Sequence, residues 1–242
     1  MVSKYPGKVK FVTENFGESK LAEQYGITRY PAVFVNDILL AQPRDFGFFG
    51  KGENAGRYTP WLNPDSQARF KADLTRMVDL VVAGRSVEAS KQGTAGAGDD
   101  TIHQLPKFQM VELTGKPLKS DELAGKITVV EFWATWCPPC LTTLQWLNDT
   151  SRKYGDKVTV VALAVESPED KVKKLAASKT DGSIRWAMST PETAQSFGDL
   201  VAVPTMYVFD GSGKTIKVFY GAPPEMHAQA EELLNSLMKA KQ

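Results

Sequence analysis

The only two cysteines of the chain, Cys137 and Cys140, lie in the run Trp136-Cys137-Pro138-Pro139-Cys140. Two thiols at that spacing can close into a disulfide and reopen, which is the chemistry of thiol–disulfide exchange. The apolar run Ile127-Thr128-Val129-Val130-Glu131-Phe132-Trp133 leads into the pair and reads as a strand. The segment from Leu141 to Tyr154 leads out and reads as a helix, with Leu141, Leu144, Leu147 and Ser151 on one face. A helix start also decides which thiol reacts. Unpaired backbone N–H groups there favour a thiolate and lower a cysteine pKa from its free value of about 8.5. Cys137 sits just before the helix and is expected to be the more exposed, so it is assigned as nucleophile and Cys140 as the resolving thiol. Pro138 and Pro139 suit the first turn, where their missing N–H groups are not needed, and they stiffen the dithiol loop.

These elements must be carried by a chain of 242 residues, a length that suits two domains. Apolar residues make up 42% and charged residues 24%, ordinary for a globular protein, and a net charge of +1 gives no field favouring nucleic acid. No run reaches the roughly 18 to 20 apolar residues of a membrane span. The first residues, Met1 to Lys8, lack the apolar core of a signal peptide. Two cysteines do not make a disulfide framework. With His103 and His227 they match no zinc-ligand spacing, so no metal is expected.

The stretch Ser90 to Asp100 is small, polar and glycine-rich and reads as a linker, which divides the chain into residues 1–88, a linker at 89–101 and residues 102–242. Neither it nor Gly50 to Gly56 carries the Gly-Lys-Ser/Thr or the flanks of a phosphate loop. Beyond the linker, a hairpin around Thr114-Gly115-Lys116 precedes the dithiol unit. A buried strand from Lys157 to Val165 follows the dithiol helix, then a helix from Pro168, a strand at Ile184 to Met188 and a short helix from Pro191. A hairpin of Met206 to Phe209 with Thr215 to Tyr220, and a helix from Glu225 to Lys239, close the chain. That order predicts an α/β fold, a mixed sheet with helices on both faces. The front half reads as βαββα: a strand at Val9 to Val12, a helix at Ser19 to Tyr25, strands at Ala32 to Val35 and Ile38 to Leu40, and a helix from Gln67 to Ala83. A long aromatic loop from Arg44 to Pro64 separates the last strand from the last helix, and its Phe46-Gly47-Phe48-Phe49 is a candidate docking surface.

The stretch Val130 to Cys140 resembles the active site of TlpA/ResA-type thiol-disulfide oxidoreductases, redoxin/AhpC-TSA-like members of the thioredoxin superfamily. The resemblance covers most of residues 104–240 and includes Val203-Pro204-Thr205 in the place of the family's cis-proline loop. Leu21 to Pro31 resembles the helix and cis-proline approach of the same fold, without a dithiol, so the chain looks like a tandem thioredoxin-like protein whose first domain is incomplete. The resemblance implies dithiol exchange with a protein disulfide, as a reductant recharged by an upstream thiol donor, with no cofactor. It implies a cis peptide at Pro204, a Val203 backbone that pairs with the incoming substrate, and a substrate-facing rim of Trp136 and Pro139. Trp133 is more ordinary core. Glu131, mid-strand, takes the place of an acidic residue that in thioredoxins moves the resolving cysteine's proton; the plainer alternative is a strand-edge glutamate facing water. The family mostly works outside the bacterial cytoplasm, which implies an extracytoplasmic location. Two other readings are a thiol peroxidase, although Thr135 stands too close to Cys137 for the peroxiredoxin pattern, and a non-catalytic interaction module in the front half.

Overall fold

The structure, a computed structural model, describes residues 2–14, 19–27, 30–48, 56–93, 102–179, 183–198 and 200–239. The chain divides into two compact units, Met1–Asp100 and Thr101–Gln242.

In the first unit, α1 (Lys20–Gln24) is capped by the Ser19 hydroxyl, which accepts from the Ala22 N–H at 3.1 Å. Gly26, left-handed at φ 62, ends it and lets Ile27 N–H return to the Ala22 carbonyl at 2.8 Å. An antiparallel hairpin follows, β1 (Val33–Val35) and β2 (Ile38–Ala41), turning at the left-handed Asn36. Ala22, Ile27 and Leu39 form a small core with Tyr25 and Phe34 packed on it. Asn63 caps α2 (Pro64–Val82), with Pro64 in the first turn, and α3 (Ser86–Gln92) follows.

Three expectations change here. Val9 to Val12 forms no strand: no strand among the described residues pairs with it, and Phe11 is 75% exposed. The stretch expected as linker begins helical, since α3 runs to Gln92 and Ala89 is buried; the rest of that stretch, 94–101, lies outside the described residues, as does most of the glycine-rich run at 50–56. The aromatic loop is not a docking surface at Phe46. That ring is buried among Tyr58, Trp61 and Phe70 at centroid distances of 5.2 to 5.6 Å, because four aromatic faces bury more apolar area against one another than against water. Phe49 lies outside the described residues. Arg57 closes this cluster on its polar side, with its Nε 2.9 Å from the Asp45 carboxylate.

In the second unit a small hairpin, β3 (Gln109–Val111) and β4 (Pro117–Lys119), precedes the main sheet. Then come β5 (Ile127–Trp133), α4 (Pro138–Tyr154), β6 (Val158–Ala164), α5 (Glu169–Lys179), β7 (Ile184–Met188), α6 (Pro191–Ser196), β8 (Thr205–Phe209), β9 (Thr215–Tyr220) and α7 (Met226–Lys239). The sheet order is β7-β6-β5-β8-β9. Strands β5, β6 and β7 are parallel; β8 runs antiparallel to β5, and β9 to β8. All seven residues of β5 are buried, as a central strand covered on both faces requires. Phe197, just past α6, stacks edge-on to Phe132 and Tyr207 on one face of the sheet. By strand alternation Val129, Glu131 and Trp133 point to the other face, where Trp133 meets Trp186 edge-on.

Helix α4 buries Leu144 and Leu147 completely and packs against β6 and β7. Its exposed flank meets α7, where Trp146 stacks on His227 and the Tyr154 hydroxyl donates to Asn235 Oδ1 at 2.9 Å. Leu144 thus ties the dithiol helix to the sheet, and Leu144→Ala is expected to lower the unit's unfolding free energy by about 3 kcal/mol, read by urea titration. No helix among the described residues is long and apolar enough to cross a membrane.

Candidate active site

The β5–α4 junction delivers the dithiol. Strand β5 ends at Trp133, and Cys137 N–H donates to the Ala134 carbonyl at 3.2 Å, a tight turn that aims the chain into α4. Cys137 is the N-cap, in extended backbone at φ −105 and ψ 98. Its sulfur accepts a hydrogen bond from the Cys140 N–H at 3.3 Å. The sequence predicts several helix N–H groups at this sulfur, and the structure supplies one. Because prolines occupy the first two helical positions, Cys140 supplies the first N–H the helix owns. The electrostatic pull of the helix start on Cys137 therefore acts chiefly through one hydrogen bond and the aligned peptides behind it.

Cys137 and Cys140 are joined as a disulfide, with an S–S distance of 2.08 Å and a Cα–Cα distance of 5.3 Å. In this closed form Cys137 is 4% exposed and Cys140 is 0% exposed, so Cys137 is the less buried residue of the pair, by a narrow margin. Pro138 and Pro139 are both exposed beside it, and the Trp136 ring is 55% exposed, whereas Trp133 is completely buried.

The opposite wall comes from the segment before β8. The Val203–Pro204 peptide is cis, and the Val203 carbonyl oxygen lies 3.7 Å from Cys137 Sγ. A disulfide sulfur has no proton to donate, so this is a contact; a reduced thiol could donate there. Pro204 is buried, and its carbonyl accepts from Gly221 N–H at 2.8 Å, fixing the segment to the end of β9. Tyr30–Pro31 in the first unit is also cis, with no cysteine in that unit, and Thr59–Pro60 is a third cis bond that the sequence reading did not raise.

Glu131 is completely buried in the middle of β5, opposite Ala162 of β6 and Met206 of β8. Neither carboxyl oxygen has a hydrogen-bond partner among the described residues. Burial pushes its pKa well above the usual carboxylate range, because ionisation without a partner in an apolar layer is costly. A water-facing glutamate on a strand edge is not what the geometry places here.

Sequence reasoning missed Glu166 and Ser167, which contact the Thr135-Trp136 entry to the dithiol. Only the position of Glu166-Ser167 just past a buried strand could have pointed to them.

A family model described as Redoxin matches residues 100–234, more than half of the chain. The chain belongs to the redoxin family. Within the redoxin match lie the dithiol, Glu131 and the Val203–Pro204 segment. Thiol-disulfide oxidoreductase ResA of Bacillus thuringiensis subsp. konkukian (strain 97-27) is 28% identical over 136 residues, covering 55% of this chain and 76% of the relative. ResA of Bacillus subtilis (strain 168) is 26% identical over 133 residues, covering 53% and 74%. Among solved structures, a thioredoxin-family thiol:disulfide interchange protein from Chlorobium tepidum TLS superposes with a TM-score of 0.51 at 29% identity. It covers 58% of this chain and 99% of its own. The redoxin unit has the mixed α/β sheet that the order of its elements predicts and the thioredoxin-like fold that the resemblance implies.

Proposed function

We propose that the chain is a thiol-disulfide oxidoreductase that reduces protein disulfides by dithiol exchange through Cys137 and Cys140. The observation that carries this reading is the closed Cys137–Cys140 pair at the start of α4, with the carbonyl of the cis Val203–Pro204 peptide 3.7 Å from Cys137 Sγ. In the forward reaction the Cys137 thiolate attacks one sulfur of the substrate disulfide. An S–S bond forms to Cys137, and the other substrate sulfur leaves as a thiolate. Cys140, once deprotonated, attacks Cys137 Sγ. The internal disulfide closes, and the second substrate thiol is released. Two electrons have passed to the substrate, and a separate dithiol donor must return two to the pair.

The remaining residues have assigned parts in that scheme. The Val203 backbone pairs with the substrate chain, and Pro204 holds it beside Cys137. Trp136 and Pro139 form the rim on which the substrate rests. Glu131 accepts the proton that Cys140 must lose. Resemblance to TlpA/ResA-type proteins supports an extracytoplasmic place of action. The first unit, with no cysteine of its own, acts as a dithiol-free thioredoxin-like half.

The test is reduction of insulin by dithiothreitol, followed by turbidity of the released B chain. The expected result is a clear acceleration over dithiothreitol alone, with no consumption of hydrogen peroxide beyond that of free dithiol. Peroxide turnover without insulin reduction would replace this reading with a thiol peroxidase.

A further inference from the structure

Between β6 and α5 the chain passes through Glu166 in the left-handed region, at φ 43. Residues other than glycine, asparagine and aspartate seldom adopt that conformation, and they hold it only where surrounding contacts require it. Here the contacts run to the segment that enters the dithiol. Val165 N–H donates to the Trp133 carbonyl at 2.8 Å. Thr135 N–H donates to Ser167 Oγ at 2.9 Å, and that hydroxyl donates onward to the Val165 carbonyl at 2.9 Å. The Trp136 indole Nε1–H donates to the Glu166 carbonyl oxygen at 2.9 Å. Trp136 is thus tied at its polar edge, while more than half of its surface faces solvent one residue from Cys137.

We infer that residues 165–167 form a clamp, with Glu166 and Ser167 as positioning residues that fix Trp136 as a docking wall for protein disulfides. The inference rests on the exchange reading above. A ring already held in place loses less freedom when a substrate chain packs on it, so the clamp acts on substrate binding. A small disulfide that reaches only the sulfur gains nothing from the wall. What Glu166 supplies is its backbone carbonyl, presented by the left-handed turn, and not its charge.

The test compares KM and kcat for insulin with those for 2-hydroxyethyl disulfide, both with dithiothreitol as donor. Ser167→Ala is expected to raise the insulin KM about fivefold, the loss of one hydrogen bond, with kcat within about twofold. Ser167→Thr, which keeps the hydroxyl, restores the KM. Glu166→Val, a β-branched residue poorly suited to the left-handed region, raises the KM in the same way, whereas Glu166→Asn leaves it unchanged. Reduction of 2-hydroxyethyl disulfide is the same in all four variants. Unchanged insulin KM in both Ser167→Ala and Glu166→Val would overturn the clamp, as would equal losses on the two substrates. An inactive wild type would overturn the exchange reading and the clamp with it; an active wild type with unaffected variants overturns the clamp alone.

Discussion

Cys137→Ser is expected to bring insulin reduction down to the rate of dithiothreitol alone, whereas Cys140→Ser stops the reaction one step later. The difference follows from position. Cys137 caps α4 and accepts the Cys140 N–H, an interaction that grows stronger when the sulfur is a thiolate. It is also the less buried residue of the pair. In the reduced protein, iodoacetamide at neutral pH should therefore label Cys137 first and Cys140 slowly, read by peptide mass. A serine at 137 offers no thiolate, so no mixed disulfide forms. A serine at 140 leaves the first attack intact but removes the thiol that releases the substrate. Cys140→Ser incubated with an excess of a disulfide peptide should then accumulate a stable covalent adduct at Cys137. Adduct formation by Cys137→Ser through Cys140 would reverse the assignment. Full insulin activity in either variant would remove the pair from the reaction.

The dithiol could be read because its signals are local. Two cysteines, two prolines and the start of an amphipathic helix fix the N-cap without help from the rest of the chain. Strand β5 was equally plain, since seven consecutive residues that are apolar or β-branched, save one, suit a strand buried on both faces. Val9 to Val12 looked similar over a shorter run, but a strand also needs a neighbour to pair with, and four residues say nothing about that. The aromatic loop misled for a related reason. Phe46 is equally apolar on a surface and in a cluster, and only the fold brings Tyr58, Trp61 and Phe70 around it. The sequence reads the two prolines as first-turn residues, and they occupy the first two positions of α4. That reading already held the consequence that most of the N–H groups expected at Cys137 are missing. The clamp at Glu166 was beyond reach, because a left-handed glutamate has no sequence signature; the usual marker, glycine or asparagine, is absent.

Replacing Glu131 by leucine is expected to make the protein more stable and, at neutral pH, a slower catalyst. The stability effect follows from the unpaired, completely buried carboxyl. Unfolded, the group titrates near the ordinary glutamate value of about 4.3. Folded, burial holds its pKa well above that. Between the two values the native state binds more protons than the unfolded state, so stability falls as pH rises. The full contribution is present below the unfolded pKa and is lost through the folded one, at up to about 1.4 kcal/mol per pH unit. Glu131→Leu removes that dependence, so its advantage over wild type in urea unfolding of the oxidised protein should grow from pH 5 to pH 8. Parallel curves would mean that the carboxyl titrates normally.

The catalytic effect has the opposite sign. If Glu131 takes the Cys140 proton, its loss should slow release from the mixed disulfide on the order of a hundredfold at pH 7, a common worth for a positioned general base. The deficit should shrink as the pH becomes alkaline, where hydroxide takes the Cys140 proton without help from the carboxylate. Alkylation of Cys137 should stay at the wild-type rate, because the first attack does not use this proton. A Glu131→Leu protein that is more stable yet closes the mixed disulfide at the wild-type rate would leave the carboxyl buried for some purpose other than proton transfer.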